Sequence, residues 1–315
     1  MKFRLVDYFI YALIPYDLKV VGVTQLSSTT YKVKCKEMDI VVKMLEIERV
    51  PTIEKIATLR LPYFEQVILN NRGKAVTNYC SDYFYVVLYR KSMLASSENT
   101  NVFLGNILAS LHSQSSIVCN VESGYFEKWR IYFEDTFQSF VKIDHQLISS
   151  CIHSEFPSPT LFCYSLSEEI GKLYLVHYPY FINKFHEVCE NRVTIRKCIN
   201  WGHFGKGHFD VSSQILLGLH KVEETSLVFD LVNWFYENNE DSIISCFKKY
   251  FAYCPLEQYE VYFFICLCYS RIAFEFGNSE FMNINQLVYF HKKIKQIISL
   301  EEILGLDISL IKSVY

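Results

Sequence analysis

The architecture turns on one stretch: Arg90-Lys91-Ser92-Met93-Leu94-Ala95-Ser96-Ser97-Glu98-Asn99-Thr100-Asn101. It is polar, rich in Ser and Asn, and follows neither hydrophobic period, which marks a linker or lobe boundary. Before it the pattern is that of strands. Residues 18–24 are β-branched and apolar, 30–35 alternate, and 39–45 (DIVVKML) form a third strand, with Glu37-Met38-Asp39 as the turn before it. Pro51 opens a short helix that runs to about Leu61, because Pro is favoured in a first helical turn. Strands follow at 66–69 and 75–79, with Asn70-Asn71-Arg72-Gly73 as a hairpin turn between them, and at 83–89.

Beyond the boundary the period is helical. Val102, Ile107, Leu108 and Leu111 share one face, and 125–148 carries Trp129, Phe133, Phe137 and Phe140 on one stripe. That stripe reads as core packing. Two or more helices are expected after Pro159, then an irregular stretch at 198–219 that holds Gly202, Gly205 and Gly207. Helices resume at 229–238, 241–251, 256–276 and 285–298. The layout is α+β, with a small β-rich lobe at 1–90 and a larger helical lobe at 91–315.

Composition narrows the function classes. With 315 residues, half of them hydrophobic, the chain can bury a substantial core. A net charge of -3 gives no footprint for nucleic acid or an anionic membrane. Eleven cysteines, an odd number without regular spacing, point to a reducing compartment rather than a disulfide framework. The apolar N-terminus carries Asp7 and no small-residue cleavage site, so it is not read as a signal peptide. The most hydrophobic window, 261–269, is too short to span a bilayer. A cytoplasmic protein with no membrane and no nucleic-acid partner is expected. The 25 Phe and 23 Tyr fit either an AT-rich genome or a protein of dense assemblies with sticky aromatic surface.

Four segments in order resemble the protein-kinase-like superfamily, on its aminoglycoside-phosphotransferase branch. Val41-Val42-Lys43-Met44 resembles the strand whose lysine holds nucleotide phosphates. Leu104 to His112 (LGNILASLH) is similar to the helix that follows the hinge. Trp201-Gly202-His203-Phe204-Gly205-Lys206-Gly207-His208 stands in place of the catalytic loop, and Val228-Phe229-Asp230-Leu231-Val232-Asn233-Trp234 resembles the helix start whose aspartate braces it. Within that branch the likeness is to the spore coat kinase-like proteins of endospore-forming bacteria, the CotS and YutH type. Tyr125-Phe126-Glu127-Lys128-Trp129, His177-Tyr178-Pro179-Tyr180-Phe181 and the Pro255-Leu256 helix start fit it too. The resemblance implies a two-lobed protein-kinase-like fold.

It also implies a site stripped of its acids. Phosphoryl transfer needs metal ions held by hard oxygens and a carboxylate to orient the attacking hydroxyl. The loop's Asp position falls on His203 and its Asn position on His208, while the second metal aspartate falls on Gly218. Imidazole supplies no negative charge and suits magnesium poorly. Asp210, Glu223 and Glu224 are the nearest carboxylates, and the phosphate-covering loop at 22–28 keeps one glycine, Gly22. Lys43 either pairs with Glu54 on the following helix, as a vestige of the nucleotide site, or is a solvated strand-end lysine. Asp230 is expected to be structural, as loop brace and helix N-cap, and His112 a satisfied histidine at a lobe interface. His203, His208, His220 and Cys198 are zinc ligands only if they converge, and their spacing matches no known finger.

The expected function is therefore that of a pseudokinase in the spore coat, made in the mother cell, with other coat proteins as partners and no cofactor or metal. The alternative is an active phosphotransferase using ATP, magnesium and a displaced acid such as Asp210.

Overall fold

The computed structural model describes residues 5–89, 97–153, 158–204, 208–210, 213–238, 240–272 and 279–306. Residues 90–96 of the polar boundary, 205–207 of the catalytic-loop segment and 273–278 of the late helix lie outside them. The chain packs as two compact units, Met1–Ile117 with Lys197–Asn233, and Val118–Arg196 with Trp234–Tyr315.

The first unit begins with a short helix, α1 (Leu5–Ala12), in a stretch that strand patterning left unassigned. Strands β1 (Val20–Ser27), β2 (Thr30–Cys35) and β3 (Asp39–Leu45) form an antiparallel meander. After α2 (Val50–Leu59) come β4 (Val67–Ile68), β5 (Val76–Tyr79) and β6 (Asp82–Leu88). β6 returns to pair with β3, so the order is β1-β2-β3-β6 with β4 and β5 both on the far edge of β6. The Asn70–Gly73 turn exists but does not close a β4–β5 hairpin. Asn70 Oδ1 accepts the amides of Arg72 and Lys74 at 3.0 Å each, and the chain loops out and rejoins the same edge. Phe9, Ala12 and Leu13 cover one sheet face together with Val33, Ile40, Val42, Phe84 and Val86, which explains why α1 holds despite its length. Burial of that apolar surface supplies the driving force at about 25 cal/mol per Å².

Helix α3 (Ser97–Ser115) starts inside the polar stretch, so that stretch is shorter as a connector than its composition implies. The chain continues through β7 (Ile117–Asn120), α4 (Tyr125–His153) and α5 (Pro159–Cys189). α5 is one helix of 31 residues where two or more were expected, with Pro179 in its interior. Then come β8 (Thr194–Asn200), β9 (Phe209–Asp210), β10 (Ile215–Leu216), β11 (Glu223–Thr225) and α6 (Val228–Glu237). The last elements are α7 (Ser242–Tyr253), α8 (Gln258–Ser270) and α9 (Glu280–Ile303).

In the second unit the aromatic stripe of α4 does pack inward. Trp129 and Phe133 meet Phe263 of α8, Phe137 meets Tyr178, and Phe140 lies 4.1 Å from Tyr174 between ring centroids. The Trp129–Phe263 and Phe137–Tyr178 pairs are edge to face, an arrangement that adds about 0.5–1.5 kcal/mol each beyond burial. Among the described residues no helix is long and apolar enough to cross a membrane.

Candidate functional site

All the residues singled out for the catalytic site fall in the first unit. β3 places Lys43 opposite Thr30 on one side and Tyr85 on the other. Its amine does not reach Glu54. It lies 2.6 Å and 2.8 Å from the two carboxylate oxygens of Glu65, with the side chains 12% and 5% exposed. Glu54 instead accepts the amides of Ala75 and Val76 at 3.3 Å and 3.1 Å, which pins α2 to the start of β5. The expected Lys43–Glu54 pair is thus corrected to Lys43–Glu65.

Glu65 is delivered by tertiary structure rather than by a helix. Phe64 forms a parallel bridge with Leu216, Leu216 N–H donates to Tyr63 O at 2.7 Å, and Glu65 N–H donates to Leu216 O at 3.1 Å. The segment therefore lies along β10, directly before Gly218. The Glu65 Oε1 that faces Lys43 also accepts Gly218 N–H at 2.9 Å and Leu219 N–H at 3.4 Å. Sequence reasoning missed this residue. The signal available was an acid directly after two aromatics in Tyr63-Phe64-Glu65, where a merely solvated carboxylate is out of place.

Asp230 holds the loop through its backbone amides. Asp230 accepts Trp201 N–H at 2.6 Å and Gly202 N–H at 2.8 Å, and His112 Nε2 lies 3.2 Å from its Oδ2. Both side chains are buried. Asp230 sits within the first turn of α6, not at its N-cap. Gly202 has φ +67°, and a Cβ there would stand 3.0 Å from Lys221 O, so the glycine is required twice over.

The loop presents imidazoles. His203 and His208 meet edge to face with ring centroids 3.4 Å apart. Burial first, and then the Lys43 ammonium, push the His208 pKa below its usual value, against an opposing pull from Glu65. Gly218, in a left-handed conformation at φ +89°, follows β10 and contributes only its amide.

The other acids are engaged. Asp210 is buried on β9 and accepts from Ser213 Oγ at 2.5 Å. Glu223 pairs with Arg49 and Glu224 with Lys55. Cys198 is buried with its thiol 3.5 Å from Asn200 Oδ1, and the His220 side chain lies outside the described set. Among the described residues no three His, Cys, Asp or Glu side chains gather where a metal could sit.

A magnesium nucleotide needs oxygen ligands, and the positions that the sequence resemblance aligns with those ligands, His203, His208 and Gly218, offer two imidazoles and a glycine.

No family model matches the chain, and no curated protein sequence matches it. Solved structures do. An aminoglycoside phosphotransferase from Alicyclobacillus acidocaldarius subsp. acidocaldarius DSM 446 superposes with a TM-score of 0.59 at 12% identity, over 94% of this chain and 96% of that one. This chain has the aminoglycoside phosphotransferase fold. Spectinomycin phosphotransferase APH(9)-Ia, in complex with ADP and spectinomycin, gives 0.50 at 10% identity over 96% and 99% of the two chains. Its AMP-bound complex gives 0.51 at 10% identity over 94% and 98%. At such identities the likeness speaks for fold alone, and in that it meets the expectation of an α+β, two-lobed, kinase-like architecture.

Proposed function

We propose that this protein is a catalytically degenerate kinase-like protein, a pseudokinase, whose work is binding rather than phosphoryl transfer. One observation carries the reading. Lys43–Glu65 and Asp230 with Trp201, Gly202 and His112 form a buried frame, while the positions that the resemblance assigns to metal binding hold His203, His208 and Gly218. Positioning without charge neutralisation leaves transfer of phosphate without its main source of rate.

The proposed setting is the mother cell and spore coat of an endospore-former, with other coat proteins as partners. That setting rests on the sequence resemblance. Tagged protein should gather on the forespore; a diffuse signal throughout sporulation, with unaltered spores after deletion, refutes it.

Phosphate release from ATP, measured with and without magnesium over a broad acceptor panel, tests the central reading. No turnover above buffer is expected. Turnover that disappears in Asp210→Ala would instead establish the competing reading, an active phosphotransferase with a displaced acid.

A further inference from the structure

The second unit holds a groove of its own, between the start of α7 and the exposed face of α9, with a volume of about 670 Å³. Helical spacing puts Val288, Lys292, Lys295 and Ser299 in one row along it. Ile244 lines it from α7, and Val288 is 62% exposed. Phe281, seven residues before Val288 in the same row, is 74% exposed. The row is therefore apolar at one end and basic at the other.

Its charges are left unanswered. Elsewhere in this unit, surface cations meet acids one helical turn away: Arg130 with Glu127 and Glu134, Lys172 with Glu168, Lys184 with Glu187. Among the described residues no acid pairs with Lys292 or Lys295, which are both exposed. Asp241, the acid that lines the groove, accepts Gln296 Nε2 at 3.0 Å, and its neighbour Glu240 accepts Ser242 Oγ at 3.3 Å. Lysines three apart on a helix repel one another, an arrangement that an isolated helix disfavours. His291 lines the groove as well; burial, and then Lys295, push its pKa below the usual value, so the two lysines carry the charge.

We infer that this groove docks an acidic peptide segment of a partner protein, with its carboxylates on Lys292 and Lys295 and an apolar side chain against Ile244 and Val288. The inference goes beyond the non-catalytic reading and stands whether or not phosphate is transferred.

The choice of a peptide follows from the mixture of groups. A small anion would use the lysines and leave the exposed apolar end uncovered, whereas large apolar side chains beside unpaired cations suit a segment that is both apolar and acidic. A nucleic acid would meet Asp241 among the lining groups, and among the described residues no aromatic ring lines the groove for a base to stack on. From Val288 to Ser299 the row spans about 16 Å, the length of about three helical turns of a partner segment.

The test is fluorescence anisotropy of the full chain with labelled synthetic peptides of about twelve residues, enough to follow the row as a helix. One probe carries leucines at one end and glutamates at the other; its control replaces every glutamate with glutamine. The acidic probe is expected to bind with a Kd of about 30 µM, to weaken about tenfold between about 50 and 300 mM salt, and to bind about tenfold tighter than its control. Lys292→Glu combined with Lys295→Glu should weaken it about tenfold, and Val288→Ser about threefold. Lys128→Glu, at an exposed cation of α4, should leave it unchanged. All these positions are exposed, and circular dichroism checks that each variant is folded. Absence of binding by about 1 mM acidic probe, equal binding of the control, or affinity unmoved by the double reversal overturns the inference. Displacement of the probe by oligouridylate or tripolyphosphate at equal concentration overturns it too, in favour of a surface for polyanions at large. Turnover of ATP, which would refute the non-catalytic reading, leaves each of these results where it stands.

Discussion

Glu65→Ala should be the most damaging single substitution in the candidate site, and the structure says why. The carboxylate is 5% exposed and receives two contacts from an ammonium that is itself 12% exposed, plus two backbone amides. Removing one partner of a buried pair costs about 3–5 kcal/mol, because the other charge stays behind without compensation. The amides of Gly218 and Leu219 lose an acceptor at the same time, at about 1 kcal/mol each. Lys43 keeps a narrow route to water, which recovers part of the loss, so a net cost of about 4 kcal/mol is expected. Lys43→Met should cost less, about 2 kcal/mol, because Glu65 keeps both amide donors. Combining Lys43→Met with Glu65→Leu removes both charges together and should restore about 2 kcal/mol relative to the sum of the single costs. Urea unfolding followed by tryptophan fluorescence measures all three, with Trp201 buried in the same unit as the pair. A Glu65→Ala protein within about 0.5 kcal/mol of the parent, or a Lys43→Met protein that is the less stable of the two, refutes the buried-pair account.

Two further outcomes follow from other buried groups. Asp230→Ala leaves the Trp201 and Gly202 amides and His112 without their acceptor and should cost about 3 kcal/mol. Hydrogen exchange at those two amides should accelerate, with partial recovery in Asp230→Asn; unchanged protection removes the brace. Lys293 of α9 is buried, with its amine 2.9 Å from Phe235 O and 2.8 Å from Asn238 O, and burial pushes its pKa down to about 8. An unfolded lysine titrates near 10.4, so between about pH 8 and 10 the unfolded chain binds the extra proton and stability rises with pH. Lys293→Met should flatten that rise between pH 8 and 9.5, and identical slopes in the two proteins would contradict it.

The parts of the fold legible in the sequence are those set by local pattern. β2 and β3 have their expected bounds because alternation within a strand is enough to define them. α4 was legible because its aromatic stripe keeps helical period, and the Asp230 brace because its motif precedes an apolar helix. What remained hidden depends on distant contacts. α1 is too short to hold by itself and owes its place to the sheet face under Phe9 and Leu13. β4 and β5 look like a hairpin, yet each pairs with β6, because the Asn70 side chain organises the loop between them. Glu65 was missed for the same reason. A helix acid at the right spacing, Glu54, is the local candidate, whereas the true partner is set by a bridge between Phe64 and Leu216.

On the non-catalytic reading we propose, the division between what the site keeps and what it lacks follows from stability. Lys43, Glu65, Asp230 and His112 satisfy one another and four buried or half-buried amides, so each is costly to replace whether or not chemistry occurs. Metal carboxylates are different. Clustered without their ion they repel one another, and their pKa values must rise or the fold must yield. A protein under no demand to transfer phosphate gains stability by losing those acids and loses stability by losing the frame. On the non-catalytic reading proposed here, His203, His208 and Gly218 beside the Asp230 brace and the Lys43–Glu65 pair are what that asymmetry would leave behind.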